Sequence, residues 1–325
     1  MSKAEKAVNW GILGLGNIAH RFCRSLSNIE EGRLYAVASH KPQKRQQFKE
    51  EFGAQKLYDD YSALLQDEDV DIVYIALPHR WHYQWVMEAL RQGKSVLCEK
   101  PAVVSCREAE EIFALAAEKN LFYMEAMKTR FMPLVARIHE LLDQNKIGEI
   151  RYMEVHFTAC YDFPEDHYIW DRRYGGCFYD MGCYGIASIT DYIHEDPLGV
   201  DVSCRKKKGV DAHTLALCRF ASGAEALCES AFNDRSNKRF LLIRGTRGTI
   251  EADNFYRPAS LTLKNDEGQQ HWEEPYGDDD FQYEIRHVHD CLRQGIKESP
   301  LMSRDSTMRY VRLMEMIRER IDEEP

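Results

Sequence analysis

The sequence has no C-x-x-C pair and no cysteine–histidine cluster at zinc-ligand spacing. Its 10 cysteines (23, 98, 106, 160, 177, 183, 204, 218, 228 and 291) are scattered along the chain, which argues against a zinc-dependent dehydrogenase. Several lie inside apolar patterns, where a reduced thiol packs as a small hydrophobe, so a reducing cytoplasm is the expected compartment. No stretch supplies the roughly eighteen uninterrupted apolar residues of a membrane span. Lys3 and Lys6 before Ala7 to Ala19 imitate a signal peptide, but the glycines and Asn17 in that stretch fit a strand and turn better. Basic charge is also scarce: 43 Lys and Arg face 53 Asp and Glu, for a net charge of −10. That balance argues against a nucleic-acid partner, and the run Arg205 to Lys208 reads as a solvated turn. Internal repeats and low-complexity tracts are missing too.

What is present is an ordinary soluble composition, 44% hydrophobic and 30% charged over 325 residues, enough for two domains at about 150 residues each. From Val8 to about Leu121 short apolar runs alternate with amphipathic stretches, the sequence form of strand–helix units around a parallel sheet. Strands are expected at Val8 to Leu13, Arg33 to Ala38, Lys56 to Tyr58, Ile72 to Ala76, Ser95 to Cys98 and Leu121 to Met124. Helices are expected at Pro42 to Phe52, Trp81 to Arg91 and Arg107 to Lys119. After Gly148 the rhythm becomes successive strands with short turns: Ile150 to Phe157, Val200 to Arg205, His213 to Phe220, Glu225 to Ala231, Arg239 to Arg244, Gly248 to Ala252 and Ser260 to Leu263. Two amphipathic helices, Phe281 to Arg293 and Ser303 to Arg320, close the chain. The expected fold is α/β: a doubly wound parallel-sheet (Rossmann) domain over residues 1–124, then an α+β domain with an open, mostly antiparallel sheet over 125–325. The two closing helices could pack back on the first domain.

Gly14-Leu15-Gly16-Asn17-Ile18-Ala19 reads G-x-G-x-x-A between a strand and a helix, the context in which the motif binds a dinucleotide. Gly14 permits the tight turn, Gly16 lets the backbone approach a pyrophosphate, and Ala19 lets the helix pack closely on its strand. Asn17 and Ile18 open the helix, whose free N–H groups favour anions. The second strand ends in Ala38-Ser39-His40-Lys41, with no acid to hold a ribose 2′-hydroxyl. Ser39 and Lys41 could instead bind a 2′-phosphate, which favours NADP over NAD; the alternative is a solvated start to a surface helix. Pro78 and His82 follow the fourth strand and could line the nicotinamide site, although a structural role at a helix start fits His82 equally. Glu99-Lys100-Pro101 follows the fifth strand, and Lys100 could reach a nicotinamide and a substrate hydroxyl together.

Carbonyl reduction needs a hydride and a proton donor within hydrogen-bond reach of the developing alkoxide. Lys100 and Tyr184 are the candidate donors. Lysine and tyrosine ordinarily titrate near ~10.4 and ~10, so proximity and cofactor charge must lower one of them. Asp180 and Tyr184 are four apart in a helix-compatible segment and would share one face. Trp170, Arg172 and Arg173 are candidates for contacts to substrate hydroxyls, against the alternative of loop packing.

Taken together, the G-x-G-x-x-A turn, Pro78-His79-Arg80-Trp81-His82, Glu99-Lys100-Pro101, Glu125-Ala126 with Arg130-Phe131, Ile147-Gly148-Glu149-Ile150 and Gly175-Gly176-Cys177-Phe178-Tyr179-Asp180-Met181-Gly182-Cys183-Tyr184 resemble the glucose-fructose oxidoreductase / inositol dehydrogenase (Gfo/Idh/MocA) family. Met124-Glu125-Ala126, Thr129-Arg130-Phe131 and Tyr184 are most similar to its dimeric dihydrodiol dehydrogenase branch. The resemblance implies a nicotinamide held by the Rossmann domain and oxidation of a sugar, polyol or cyclic alcohol, or reduction of the carbonyl partner. It makes Lys100 the motif lysine, Asp180 and Tyr184 the acid/base pair and Arg130 a substrate contact. Tyr184 stands where a histidine is usual and Cys177 replaces the usual third glycine, so phenolic acid/base chemistry is implied. A homodimer or homotetramer through the C-terminal sheet is expected. Two other readings stand beside the oxidoreductase: a dinucleotide-sensing regulator on the same fold, and a glycosidase that oxidises and re-reduces its sugar through a retained cofactor.

Overall fold

Buried apolar runs between Val8 and Ala126 form one parallel sheet in the computed structural model, which describes residues 7–277 and 279–324; Lys3 and Lys6 lie outside them. Its strands are β1 (Val8–Leu13), β2 (Gly32–Ala38), β3 (Lys56–Tyr58), β4 (Ile72–Ile75), β5 (Ser95–Glu99) and β6 (Tyr123–Ala126), in the order β3-β2-β1-β4-β5-β6. That order is the doubly wound Rossmann arrangement, with its switch point between β1 and β4. Both sheet faces are covered, so β1, β4 and β5 are buried along their whole length and read as continuous rather than alternating apolar runs. The connecting helices are α1 (Asn17–Leu26), α2 (Pro42–Phe52), α3 (Tyr61–Leu65), α4 (His82–Arg91) and α5 (Cys106–Glu118). The helix expected from Trp81 begins instead as a 3₁₀ turn, His79–Trp81, before α4. The sixth strand starts two residues later than expected, because Leu121 donates its N–H to Ala116 O at 2.9 Å and so still closes the end of α5.

Beyond β6 come α6 (Pro133–Asp143), β7 (Ile150–Thr158), α7 (Cys183–Tyr192), β8 (Pro197–Lys207), β9 (Val210–Phe220), β10 (Glu225–Ala231), β11 (Arg239–Gly245), β12 (Gly248–Asp253), β13 (Ser260–Asn265), β14 (Gly268–Glu273), α8 (Phe281–Arg293) and α9 (Arg304–Glu323). The eight strands β7 to β14 form a second sheet, ordered β14-β13-β12-β11-β7-β10-β9-β8. Only β7 and β10 run parallel in it; every other pair is antiparallel. The basic run is not simply a turn: Arg205, Lys206 and Lys207 end β8, exposed, and the turn falls on Lys208 and Gly209.

The chain divides into two units, and the division is discontinuous. The first takes the chain to Val103, Arg107–Lys128 and the stretch to Arg304 that carries α8; the second takes Val104–Cys106, Thr129–Gly277 and the chain from Asp305, with most of α9. α8 is fastened to the first unit by its buried face. Phe281 meets Phe22 of α1 edge-on with centroids 6.0 Å apart, and the Trp10 indole N–H of β1 donates to His289 Nε2 at 2.9 Å. Burial pushes the His289 imidazole down to about 4, which leaves that nitrogen free to accept.

Candidate active site

Register across the first sheet aligns the ends of its strands. Ala38, Leu13, Ile75, Cys98 and Glu125 pair in one row across β2, β1, β4, β5 and β6. The residues that follow this row therefore gather at one sheet edge: Ser39, Gly14, Ala76 with Pro78, and Glu99 with Lys100. This is the carboxyl edge at which doubly wound sheets bind ligands.

The two turn glycines do different work. Gly14 has φ +87°, and a Cβ there would sit 2.6 Å from Ala76 O and 2.7 Å from Leu77 Cδ2, so its place is set by the strand beside it. Gly16 caps α1 in extended conformation, φ −89° and ψ −173°, without a side-chain cap, and a Cβ on it would meet nothing within 4 Å. It thus leaves an open approach to the N–H groups of Asn17 and Ile18 in a first turn that has no acidic residue. Open space over a helix N-terminus fits a pyrophosphate.

At the end of β2, Ser39 Oγ accepts the Lys41 N–H at 3.2 Å, and Arg45 Nη1 donates to Ser39 O. Ser39 is buried while Lys41 is exposed and Lys44 half-exposed. The basic group nearest the strand end is therefore Arg45, one turn into α2. Its tie to Ser39 needs the helix geometry and is not visible as a motif.

Two predicted cofactor contacts, His82 and Glu99, are buried. His82 is fully buried, with Nδ1 2.8 Å from Pro101 O and Nε2 2.6 Å from Leu77 O. Burial pushes its imidazole down to about 4, so the neutral ring donates to one of the two carbonyls. It clamps the loop after β4 to the loop after β5, the structural role given as the alternative for it. Glu99 is buried beneath Lys100: the Tyr74 hydroxyl donates to Oε1, and the Lys100 backbone N–H reaches Oε2 at 3.2 Å. The Lys100–Pro101 peptide is cis, and Ala102 N–H donates to Glu125 Oε1 at 3.1 Å. Lys100 itself is half-buried, at the tip of a turn whose backbone is held on both sides.

Behind that turn lies a charged cluster that sequence reasoning missed. Glu284 of α8 is fully buried, and neither carboxylate oxygen has a hydrogen-bond partner among the described residues. Burial, reinforced by the charges of Glu99, Asp280 and Asp279, pushes its carboxyl well above the usual range, with Lys128 opposing. Lys128 pairs with Asp280 at 2.6 Å, and Arg21 pairs with Asp280 at 2.6 Å. Folded Glu284 keeps a proton that the unfolded chain loses near pH ~4.3, so its contribution to stability is complete below that pH and falls as pH rises toward the folded value. Glu284→Gln cannot ionise. It should leave the unfolding temperature unchanged at pH 4.5 and raise it by about 3 °C or more at pH 8, followed by differential scanning fluorimetry. An equal shift at both pH values would assign the effect to packing alone.

In the second unit Asp180 and Tyr184 do not share a plain α-helical face. Phe178–Gly182 is a π-helical turn leading into α7, a geometry that recurs at functional sites and that a 3.6-residue pattern cannot reveal. Asp180 is half-exposed on it, with Tyr168 Oη 3.5 Å away. Gly185 lets α7 sit against the sheet: a Cβ there would lie 2.6 Å from Cys228 Sγ of β10. Tyr184, 7% exposed, joins an aromatic group, 6.0 Å from Phe157 and 5.8 Å from Tyr256, with Phe157 and Tyr256 stacked at 4.6 Å. Phe157 closes β7 and Tyr256 follows β12, and no spacing in the sequence joins them.

The predicted substrate contacts are placed differently from expectation. Arg130 is buried, donating to Ala187 O of α7 at 3.1 Å and to Ser306 Oγ, and lies 3.6 Å from Asp191; it supports α7 from inside. The Trp170 indole N–H is used by Pro164 O at 2.8 Å, and Lys208 and Lys207 lie 4.7 and 5.6 Å from its ring. Trp170 thus organises its own loop. Arg172 is exposed, its carbonyl accepting from Arg318 Nη2 at 3.0 Å.

A Rossmann sheet with an open glycine turn, a lysine at the end of β5 and a second unit bearing an acid–phenol turn define the class: an NAD(P)-dependent oxidoreductase. Residues 8–127 match an oxidoreductase family with an NAD-binding Rossmann fold, and residues 135–251 match the GFO/IDH/MocA C-terminal domain. The chain belongs to the GFO/IDH/MocA family, and its relatives include the dihydrodiol dehydrogenase branch. It is 31% identical to the trans-1,2-dihydrobenzene-1,2-diol dehydrogenase of Xenopus laevis, over 91% of this chain and 93% of that one. It is 26% identical to KijD10, a 3-ketoreductase from Actinomadura kijaniata in complex with NADP and TDP-benzene, with a TM-score of 0.86 over 97% of this chain and 98% of that one. The aldose-aldose oxidoreductase of Caulobacter crescentus shares the fold at a TM-score of 0.88, 23% identity and 98% coverage of both chains. Among the described residues no helix is long and apolar enough to cross a membrane, and no cluster of three or more acidic, histidine or cysteine side chains is arranged to hold a metal ion.

Proposed function

We propose that the chain is an NADPH-linked dehydrogenase/reductase that interconverts a cyclic or sugar-like secondary alcohol and its ketone. The observation that carries this reading is the alignment of Lys100 with the open Gly14–Gly16 turn along one strand-end row. Gly14, Gly16, Asn17 and Ile18 would hold the pyrophosphate, and Ser39, Lys41 and Arg45 a 2′-phosphate. When bound, the cofactor supplies or accepts the hydride. The protein's share is to bind the alcohol carbon in line and to move one proton at its oxygen. Lys100 and Tyr184 are the two donors, with Asp180 shaping the charge at the phenolic end. The Tyr184, Phe157 and Tyr256 rings supply an apolar wall suited to a ring-bearing substrate, a class to which the dihydrodiol named for the relatives belongs.

The decisive measurement is a fluorescence titration with NADPH and NADH, followed by turnover on trans-dihydrodiols, aldoses and polyols with the tighter cofactor. NADPH should bind about tenfold or more tightly than NADH, since a 2′-phosphate gains charge-assisted hydrogen bonds. Failure of both to bind would overturn the reading, and release of NADPH into solution during turnover separates it from a retained-cofactor glycosidase. A folded protein that binds NADPH but turns over no alcohol or ketone would favour the sensing regulator.

We also assign a homodimer built through the outer face of the second sheet. Half-exposed Leu217, Leu227 and Leu242 lie in one cross-strand row there with Glu154, an apolar stripe that a partner would cover. A monomer by light scattering at micromolar concentration would refute it. No disulfide joins any two of the ten cysteines, in keeping with a reducing, cytoplasmic setting.

A further inference from the structure

The turn that delivers Asp180 and Tyr184 is assembled around one buried carboxylate. Asp211 of β9 is fully buried. Its Oδ2 accepts the Phe178 N–H at 2.7 Å and lies 3.3 Å from the Cys177 thiol; its Oδ1 accepts from Arg318 Nη1 at 3.0 Å. Gly176, at φ +92°, presses so closely that a Cβ would fall 2.0 Å from Asp211 Oδ1. Gly175 in turn leaves only 2.1 Å between a Cβ and Ile169 O, so the paired glycines join the Tyr168–Trp170 loop to the π turn with no room for a side chain. Cys177, where a third glycine is usual in the family, fills the remaining space with a thiol within reach of Asp211 and of Ser230 O at 3.2 Å.

Arg318 of α9 ties these parts together. One arm of its guanidinium holds Asp211 and the other donates to Arg172 O at 3.0 Å, Asp322 lies 2.7 Å from it, and its plane lies 5.4 Å from the Tyr179 ring in the π turn itself. A planar fork can serve the loop carbonyl and the carboxylate at once, which an ammonium cannot do in the same geometry. Burial pushes the Asp211 carboxyl up, and the Phe178 N–H and Arg318 oppose it. Without the guanidinium the carboxylate loses one of its charge-assisted hydrogen bonds, and with it the contact that fixes Oδ2 for the first N–H of the turn.

We propose that Asp211 and Arg318 are positioning residues that set the π turn, and through it Asp180 and Tyr184, in the geometry turnover requires. The proposal rests on the assignment of Asp180 and Tyr184 to the chemistry.

The test compares Arg318→Met, Arg318→Lys and Asp211→Asn with wild type and with Tyr184→Phe, kcat being expressed per NADPH-competent site from fluorescence titration. A displacement on the scale of 1 Å costs about a hundredfold. Arg318→Met and Asp211→Asn should therefore lose at least about tenfold in kcat while the Kd for NADPH stays within about twofold, and Arg318→Lys should recover part of the loss. Wild-type kcat in Arg318→Met, with Tyr184→Phe slow, overturns the proposal alone; wild-type kcat in Tyr184→Phe overturns the catalytic assignment beneath it. If Arg318→Met does not fold, Arg318→Lys decides: a fall in kcat at unchanged NADPH affinity supports the proposal, and unchanged kcat overturns it.

Discussion

Lys100→Met should reduce turnover by about a thousandfold while leaving NADPH affinity within about threefold, the scale expected when a positioned proton donor is lost. The expectation comes from how the turn is built. Lys100 projects from a backbone fixed by Glu99 beneath it, by Tyr74 under Glu99, and by the Glu125 contact to Ala102. Methionine is an uncharged, unbranched side chain one heavy atom shorter than lysine, and those anchors are hydrogen bonds made by other groups, so the change removes the charge and the donor from a turn that keeps them. Cofactor affinity is a separate property under the proposed assignment, in which the phosphates meet Gly16 and the start of α1, two strands away from β5. Stopped-flow turnover beside fluorescence titration measures both. Unchanged turnover would remove Lys100 from the chemistry and leave Tyr184 as the donor.

Gly16→Val should abolish NADPH binding, by about a hundredfold or more, with little change in unfolding temperature. Gly14→Val should lose binding and stability together. The contrast follows from two neighbouring positions with opposite surroundings. A side chain at Gly16 has extended φ and ψ and nothing within 4 Å to strike, so the fold accepts it; the volume it takes is the volume proposed for the pyrophosphate. A side chain at Gly14 must adopt φ +87° and enter the Ala76 carbonyl, which strains the backbone whatever is bound. Isothermal titration and thermal unfolding on both variants give four values. Loss of stability in Gly16→Val would mean that the turn is not open as described.

The Rossmann half was legible because its signals are local. Val8 to Leu13 is continuously apolar, glycines follow at once, and each later strand is announced by another short apolar run. The edge strand β14, Gly-Gln-Gln-His-Trp-Glu, was missed: it is exposed on both faces along most of its length and so has no alternation to read. α6 was missed although proline opens it, because it falls between the two rhythms. At the site, Gly14, Gly16, Lys100, Asp180 and Tyr184 came from motifs, whereas Arg45, Phe157, Tyr256 and most of the side chains that brace the site did not. Glu284, Asp211 and Arg318 are charged side chains in amphipathic or alternating stretches, where burial is the less expected outcome. His82 and Glu99 belong to the motifs and turned out to lie underneath the site, since a motif records which residues matter and not which way they face.

The return of α8 to the first unit also bears on how the protein is made. The cofactor-binding sheet is complete at Ala126, yet the side chains that close its core against α1, Phe281 and His289, reside in a helix ending at Arg293. During synthesis, an emerging chain must complete the entire second sheet before Phe22 and Trp10 receive their final partners. The amino-terminal half should therefore be a poor candidate for expression by itself and a client for chaperones while it waits.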